Sequence, residues 1–312
     1  MGDIQGRNNV LAKAQKYTLN QFATDFPDDD ACLDYIMDQR HPGNVATCAK
    51  CKVERKHYRI AGRKVYGCDH CGTQISPLAG TIFEKSSTPL KLWFHAMFQM
   101  GSTKCGISAK QIQRETGVTY KTAWRMFKQI RTLMGEEITL EGSSVEMDEM
   151  YHGGKRKYGT GRPGVGDKKK IPVVGMVERG GRAVIRAVAD IKSATLLGLV
   201  REYVLPKSTV YTDELRSYGG ISALRGKDKK PARYEHRRIN HSSKVYVMGD
   251  VHTNTIEGFW SLIRRGLGGT HHAVSQKYLQ EYLNEYAFRY NRRKVAKPMF
   301  TQILEQVSEQ AV

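Results

Sequence analysis

Four cysteines arranged as two pairs are the residues whose types and spacing most directly indicate chemistry. Cys48 and Cys51 form one Cys-x2-Cys pair, and Cys68 and Cys71 form a second pair after sixteen intervening residues. Two such pairs supply four thiolates, which is the ligand set of a closed tetrahedral structural zinc site. The spacing predicts one structural Zn²⁺, and four free thiols in a reducing compartment are the alternative interpretation.

Three carboxylates that are far apart in the chain form a second candidate site. Asp148 lies in the apolar run VEMDEMY, Asp213 follows the apolar run TVYT, and Glu257 lies early in TIEGFWSLIRRG. Carboxylate oxygens are hard ligands, and two divalent cations about 4 Å apart stabilise the attacking and leaving oxygens of a phosphodiester reaction. Each acid also has a structural interpretation: a strand-edge charge, a turn residue, and an acid that favours a helix N-terminus. The spacing alone leaves both interpretations open.

The elements that would position these acids follow from hydrophobic periodicity. SVEMDEMYHGG, PVVGMVERGG and RAVIRAVAD are predicted strands, and their Gly-Gly turns favour antiparallel connections. SATLLGLVREYV is a predicted helix, STVYTDE a strand and TIEGFWSLIRRGL a helix. The basic stretches 155–170 and 225–238 contain Gly or Pro and are predicted surface loops. Asp148 and Asp213 are therefore expected on two strands, with Glu257 on a helix.

Changes in composition divide the chain further. The predicted segments are an N-terminal helical segment, a cysteine module, a helical module, a mixed α/β domain and a C-terminal tail, at 1–45, 46–80, 89–134, 143–295 and 296–312. In the α/β domain, alternation along a strand predicts that Glu149 points to the face opposite Asp148. Trp260 is predicted to be a core residue because it belongs to an aromatic series at helical spacing.

The helical module has the pattern of a helix-turn-helix. In SAKQIQRETGVTYKTAWRMFKQI, Gly117 marks a turn between two predicted helices. The residues predicted to face the core are Ile112, Val118, Trp124 and Ile130. The second helix would then offer four side chains to a DNA groove: Thr119, Tyr120, Lys121 and Arg125. A helical hairpin that packs without reading DNA is the alternative.

Charge indicates the partner of the whole chain. The 312 residues contain 50 Lys and Arg against 31 Asp and Glu, a net charge of +19. A surface this positive attracts polyanions such as nucleic acid. No apolar run is long enough to span a bilayer, and MGDIQGRNNV lacks the apolar core of a signal peptide, so a cytoplasmic protein is expected. Arg264 and Arg265 are candidate phosphate contacts, with a solvated helix face as the alternative.

Several of these runs together resemble a known family. HTNTIEGFWSLIRRGLGGTHH, the downstream YLNEYAFRYNRR, the upstream MDEMYHGG and YTDELRSY, and the two cysteine pairs resemble the ISXO-like zinc-ribbon group of insertion-sequence transposases, which is related to the Merlin transposases. The resemblance covers most of the chain. It implies an α/β fold: a ribonuclease-H-like catalytic domain with a mixed five-stranded sheet, preceded by a zinc ribbon and a helix-turn-helix.

The resemblance also implies the site. An acidic triad would bind two Mg²⁺ or Mn²⁺ ions, with Asp148 on the central first strand and Asp213 at the end of the fourth. The third ligand would be Glu257 or Asn254, and Glu257 is favoured because a charged oxygen binds magnesium better than an amide. The 43 residues between Asp213 and Glu257 exceed the usual gap in such triads, and the basic stretch 225–238 would account for the excess.

The implied function is that of a DNA transposase. It would bind the terminal inverted repeats of an insertion sequence as a homodimer or higher oligomer, cleave double-stranded DNA and join it to a target, and associate with the nucleoid. One alternative is a non-catalytic DNA-binding regulator derived from a transposase. Another is a structure-specific nuclease of the same fold that never rejoins strands.

Overall fold

The computed structural model of the chain describes residues 16–103, 105–153, 170–226, 229–239 and 253–309. Most of the basic stretch 155–170, and residues 1–15 of the predicted N-terminal segment, therefore lie outside the described residues. The helices are α1 Leu19–Asp25, α2 Asp29–Arg40, α3 Leu90–Ser102, α4 Ala109–Thr116, α5 Tyr120–Thr132, α6 Ser193–Tyr203, α7 Asn254–Arg265, α8 Gln276–Asn291 and α9 Met299–Glu309. The strands are β1 Val45–Thr47, β2 Glu54–Arg59, β3 Tyr66–Cys68, β4 Gln74–Ile75, β5 Ser144–His152, β6 Ile171–Glu178, β7 Ala183–Ala187, β8 Thr209–Thr212 and β9 Glu235–Arg238.

The chain divides into two compact units. The first unit comprises Met1–Met134 together with Lys294–Val312, and the second comprises Gly135–Arg293. The second unit is therefore inserted, in sequence, between two parts of the first. Among the described residues no helix is long and apolar enough to cross a membrane.

In the first unit, strands β1 to β4 form a small antiparallel sheet in sequence order. Helix α2 begins at Asp28, whose side chain accepts a hydrogen bond from the N–H of Ala31. The helix is tied to the sheet because Arg59 of β2 donates to Asp34 over 2.8 Å, and Asp34 also accepts from the Tyr66 hydroxyl. These contacts join a helix of the predicted N-terminal segment to the cysteine module.

An aromatic cluster forms the helical core of the first unit. Phe22 and Phe26 pack against Phe94 and Phe98 of α3, and Phe300 of α9 contacts all four rings. The stretch 296–312, which was expected to be a tail, thus contains a helix that completes this core.

Helices α4 and α5 meet at the predicted turn. Gly117 adopts a left-handed φ of 72°, a conformation that favours glycine after a helix. Thr119 then caps α5 by accepting a hydrogen bond from the N–H of Thr122. Ile112 and Ile130 are buried, as predicted, whereas Val118 and Trp124 are only partly buried.

The second unit contains a mixed five-stranded sheet, which confirms the predicted sheet and α/β class. The strand order is β7-β6-β5-β8-β9, with β5 in the centre. Strands β5, β6 and β7 pair antiparallel, and β8 and β9 are parallel to β5. Part of the stretch 225–238, which was predicted to be a loop, forms the edge strand β9. Its sequence EHRR has no apolar residue because this edge is mostly solvent-exposed.

Helices cover both faces of this sheet. Val174 belongs to the core under α6, which contributes Leu196 and Val200. Its neighbour Val173 belongs to the opposite core, which is covered by α7 and α8. Adjacent residues of one strand therefore face two different cores, so the strand sequence is apolar on both sides.

Candidate metal centres and catalytic site

The four cysteines converge at the two hairpin turns of the small sheet. Their four Sγ atoms all lie within 4.8 Å of one another; the cysteines are Cys48, Cys51, Cys68 and Cys71. The two turns have the same backbone pattern, since Lys52 and Gly72 follow the pairs with left-handed φ values of 60° and 69°. The Sγ atoms of Cys48 and Cys71 are 3.4 Å apart. Four thiolates about 2.3 Å from one ion would have such spacings, so this cluster fits tetrahedral zinc.

The thiol of Cys71 is prepared to act as a thiolate. Its Sγ lies 3.1 Å from the Thr73 hydroxyl. Hydrogen bonds from the hydroxyl and backbone of Thr73 lower the pKa of Cys71 to about 6. Zinc binds the thiolate form, so the surroundings of Cys71 favour its role as a ligand. At Cys51, the hydrogen bond to Cys71 and burial raise the pKa to about 12 instead.

Asp148 and Asp213 meet because their strands pair in parallel. Glu146 of β5 is in register with Tyr211 of β8, so the residues two positions further along each strand also come side by side. Carboxylate oxygens of Asp148, Asp213 and Glu149 all lie within 4.8 Å of one another. Oxygen ligands in such a group fit a hard divalent cation such as Mg²⁺ or Mn²⁺.

Glu149 does not point away from this cluster as strand alternation predicted. Its Oε2 accepts a hydrogen bond of 2.7 Å from the Tyr218 hydroxyl, and Tyr218 is fully buried. Tyr218 follows Asp213 closely in the chain, so the same connection that carries Asp213 also holds Glu149 in place. No feature of the local sequence indicated this contact.

Burial raises the pKa of two of these acids, Asp148 and Glu149. Desolvation, together with the charges of Asp213 and Glu257, raises the pKa of Asp148, although hydrogen bonds from Trp260 and the backbone oppose the rise. Desolvation, with the charges of Asp213 and Asp148, raises the pKa of Glu149 to about 7. Acids that repel one another in a poorly solvated site favour a bound cation, which relieves both costs.

Trp260 has a polar contact in addition to its predicted core position. Its Nε1–H donates to Asp148 Oδ2 over 2.9 Å, and the ring is 2 % exposed. The ring lies against Gly175 of β6, where an added Cβ would be 2.8 Å from Trp260 Cη2. Gly175 is the strand partner of Asp148, so a glycine at this position makes room for the ring that orients the acid.

Helix α7 carries the remaining predicted site residues. Asn254 and Glu257 are exposed in its first turn, and Arg264 and Arg265 are exposed in its last turn. Glu257 lies near enough to Asp148 for its charge to raise the pKa of Asp148. Glu257 does not belong to the group of carboxylates formed by Asp148, Asp213 and Glu149.

The four predicted groove-reading residues are exposed and lie between the N-cap and the second turn of α5. Tyr120 is 43 % exposed, and Lys110 of α4 lies over its ring at 4.7 Å. Arg125 donates to the Ser86 hydroxyl over 3.1 Å and lies over the Trp93 ring, so this exposed cation also contacts neighbouring residues of the first unit. Thr119 caps the helix, and Lys121 is exposed.

Comparison with known proteins places both units in one family. Residues 139–291 match the ISXO2-like transposase domain, and residues 27–74 match the transposase zinc-ribbon domain. The chain is 32 % identical over 255 residues, 76 % of its length and 82 % of the relative's, to an uncharacterized protein in transposable element ISH50 of Halobacterium salinarum. This chain belongs to the ISXO2-like transposases.

A second relative matches over a shorter region. The ISXO2-like transposase chain is 38 % identical over 80 residues to an uncharacterized transposase-like protein of Haemophilus influenzae, which covers 26 % of this chain and 58 % of that protein. The matched zinc-ribbon region begins earlier than the predicted module and includes α2, in agreement with the hydrogen bonds between α2 and the sheet. The zinc-ribbon family and the four-cysteine cluster together support structural zinc.

Likeness to solved structures is weak by comparison. A chain of the Mos1 strand transfer complex superposes with a TM-score of 0.28 and 10 % identity, covering 65 % of this chain and 73 % of that one. A pre-cleavage Mos1 transpososome gives a TM-score of 0.26 and 11 % identity over 65 % of this chain and 74 % of that one.

Proposed function

We propose that this transposase is a metal-dependent DNA strand-cleaving and strand-joining enzyme of the DDE type, with Asp148, Asp213 and Glu257 as its acids. The observation that carries the proposal is the meeting of Asp148 and Asp213 on neighbouring parallel strands. The strand order, with three antiparallel strands followed by two parallel ones, supports a ribonuclease-H-like catalytic domain. Glu257 is preferred to Asn254 as the third ligand because its charge acts on Asp148.

The side chains present would hold two divalent cations. Mg²⁺ or Mn²⁺ bound there would activate the attacking oxygen and stabilise the leaving oxygen of a phosphodiester. Asp148 is fixed for this role by the indole of Trp260, and Asp213 accepts a 2.9 Å hydrogen bond from the N–H of Leu215. Arg264 and Arg265 would bind DNA phosphates near the site.

Element ends would be recognised by the first unit. The zinc ribbon, with Cys48, Cys51, Cys68 and Cys71 as the zinc ligands, presents basic residues and the exposed Tyr58. Helices α4 and α5 would act as a helix-turn-helix that reads a groove through Tyr120 and Lys121. Two ends must be held together for joining, so DNA-bound protein would be at least a dimer. The +19 charge would attract it to chromosomal DNA.

A cleavage assay on labelled element-end DNA tests this function. With Mg²⁺ or Mn²⁺, wild-type protein should nick the end and form strand-transfer joints. Asp148→Ala and Asp213→Ala should each lower the rate by about 100-fold or more, the scale of losing one charge-stabilising group. Glu214→Gln removes an adjacent exposed acid and should cleave like wild type.

The same assay separates the alternatives. Cleavage by Asp148→Ala and Asp213→Ala at the wild-type rate would refute the acid assignment. End binding without cleavage by wild type at any metal concentration would identify a regulator instead. Cleavage that never yields joints would identify a nuclease. Comparing Glu257→Ala with Asn254→Ala identifies the third ligand.

A further inference from the structure

A buried ion pair lies next to the candidate catalytic site. Glu146 of β5 is fully buried, and its Oε1 accepts a 2.8 Å hydrogen bond from Nε of Arg179. Its second oxygen, Oε2, accepts a 3.0 Å hydrogen bond from the backbone N–H of Ile256. A fully buried carboxylate is costly unless both oxygens are satisfied, and here the two partners come from different parts of the chain.

The Glu146 carboxylate supplies a hydrogen-bond acceptor for a backbone N–H in the first turn of α7. The first four N–H groups of a helix have no partner within it, and the N-cap side chain normally satisfies one of them. At α7 the N-cap residue Thr253 makes no such side-chain bond. Instead the Thr253 hydroxyl lies 3.4 Å from Glu257 Oε1. Glu146 therefore caps the helix from the sheet, one residue before Glu257.

Arg179 extends the contact to the strand of Asp213. Its guanidinium lies 4.0 Å from the ring centroid of Tyr211 on β8. Tyr211 is the register partner of Glu146, and Asp213 lies two residues beyond Tyr211, just as Asp148 lies two residues beyond Glu146. The ion pair thus contacts β5, β8 and α7, each within two residues of a proposed catalytic acid.

A second contact fixes the helix one turn further along. Trp260 lies four residues after Ile256 and donates to Asp148, which lies two residues after Glu146. Four helical residues rise about 6 Å and two strand residues about 6.6 Å, so the two contacts match in spacing. Glu146 to Ile256 and Asp148 to Trp260 therefore define one register between strand and helix.

We propose that Glu146 and Arg179 are positioning residues that set the register of β5, β8 and α7, so that Asp148, Asp213 and Glu257 bind cations together. This inference rests on the proposed function, because it assigns a purpose to that same site. A buried ion pair adds little stability over well-packed apolar residues of similar volume. A contribution to fold stability therefore does not by itself explain why Glu146 and Arg179 are paired here. Its geometric effect is to place three acids from three elements.

The test measures Mn²⁺ affinity by calorimetry and amide hydrogen exchange on folded protein, well below the unfolding temperature. Glu146→Leu should weaken Mn²⁺ binding by about 10- to 100-fold, the usual effect of losing a residue that orients metal ligands. Exchange should accelerate in the first turn of α7 while β6 stays protected. Glu146→Gln keeps an oxygen for Ile256 and should recover most of the affinity.

Glu178→Gln is the matched control. Glu178 is also buried, 7 % exposed, and accepts hydrogen bonds from the N–H groups of Gly142 and Arg182. It has no described bond to α7, so Mn²⁺ affinity should stay at the wild-type value. If Glu146→Leu does not fold, Arg179→Lys, which keeps the charge but loses the flat guanidinium over Tyr211, is measured instead and should weaken binding several-fold.

The results distinguish failure of the positioning role from failure of the proposed metal site. Wild-type affinity and unchanged α7 exchange in Glu146→Leu, or in Arg179→Lys where that variant is used, would overturn the positioning role. An equal loss of affinity in Glu178→Gln would overturn it as well, since a general effect of buried acids would then explain the data. If wild type binds no Mn²⁺, or Asp148→Asn binds it as tightly as wild type, the proposed metal site itself fails.

Discussion

Glu146, Glu149 and Glu257 have the same side chain but different environments. Glu146 is buried and paired with Arg179, Glu149 is half-buried and held by Tyr218, and Glu257 is exposed on α7. The buried acid is suited to holding protein groups in place, and the exposed acid remains available for a ligand. Glu149 lies between these cases, because one of its oxygens is held while its carboxylate lies beside Asp148 and Asp213.

The pH dependence of stability should report on Glu149. Its pKa is raised from 4.5 to about 7, so the folded chain binds this proton more tightly than the unfolded chain. The linked stability is fully present below the unfolded pKa and is lost as the pH rises through the folded pKa. We expect the melting temperature of metal-free protein to fall between about pH 5 and pH 8, with a shallower fall in Glu149→Gln.

Calorimetric scans across this pH range check the expectation. Glu214→Gln removes an exposed acid nearby and should keep the wild-type slope. Asp148, whose pKa is also raised, leaves a residual slope in Glu149→Gln. Identical slopes in Glu149→Gln and wild type would show that Glu149 does not hold a proton in the folded state at neutral pH.

At the scale of elements, strand β6 is shaped by the helix that covers it. Gly175 lies in the middle of β6, where a side chain would normally add to the core, yet Trp260 of α7 occupies that space. A glycine inside a strand often marks such a close approach. Gly198 in α6 is different, because a Cβ there would have no atom within 4 Å.

Two glycine-to-alanine changes should therefore have opposite effects. Gly175→Ala places a Cβ 2.8 Å from Trp260 and should lower the free energy of unfolding by about 1–3 kcal/mol. It should also weaken metal binding, since the indole that orients Asp148 must move. Gly198→Ala should raise the free energy of unfolding by about 0.5–1 kcal/mol, because alanine is the better helix residue. Urea unfolding measures both; a Gly175→Ala protein as stable as wild type would contradict the packing argument.

The sequence predicted those strands and helices in which apolar residues recur at regular spacing. Three elements were evident from the spacing of their apolar residues, which follows a strand period or a helix period. They are strand β5 with Asp148, strand β8 before Asp213, and helix α7. Strand β9 was missed because EHRR contains no apolar residue and pairs only at an edge. The bond from Glu146 to Ile256 joins residues 110 positions apart, and no local pattern carries that information. Strict alternation also failed at Glu149, which the Tyr218 hydroxyl holds beside the other acids.

At the scale of the whole molecule, the first unit depends on a helix that follows the inserted unit in sequence. Phe300 of α9 is 2 % exposed and packs among the rings of α1 and α3. Gly101 permits the approach, since a Cβ there would lie 2.7 Å from the backbone nitrogen of Phe300. The first unit is therefore built from two separated parts of the chain.

Phe300→Ala should destabilise the first unit selectively. Truncating a buried Phe costs about 3–5 kcal/mol, through lost burial and the cavity left behind. We expect earlier zinc release on urea titration and an unchanged Mn²⁺ affinity of the second unit. Leu19→Ala, a change at a position of α1 that is 58 % exposed, should leave both unaffected. Loss of Mn²⁺ binding in folded Phe300→Ala protein would show that the units are not independent.

The return of α9 to the first unit also orders events during synthesis. Helices α1 and α3 leave the ribosome well before Met299–Glu309, because all of Gly135–Arg293 must be translated in between. At about 5–20 residues per second that interval lasts roughly 8 to 30 seconds. During it, the aromatic rings of α1 and α3 are not yet packed against Phe300. Nascent chains therefore expose an incomplete aromatic cluster during this interval, and we expect a product that ends before α9 to be a substrate for chaperones or proteases.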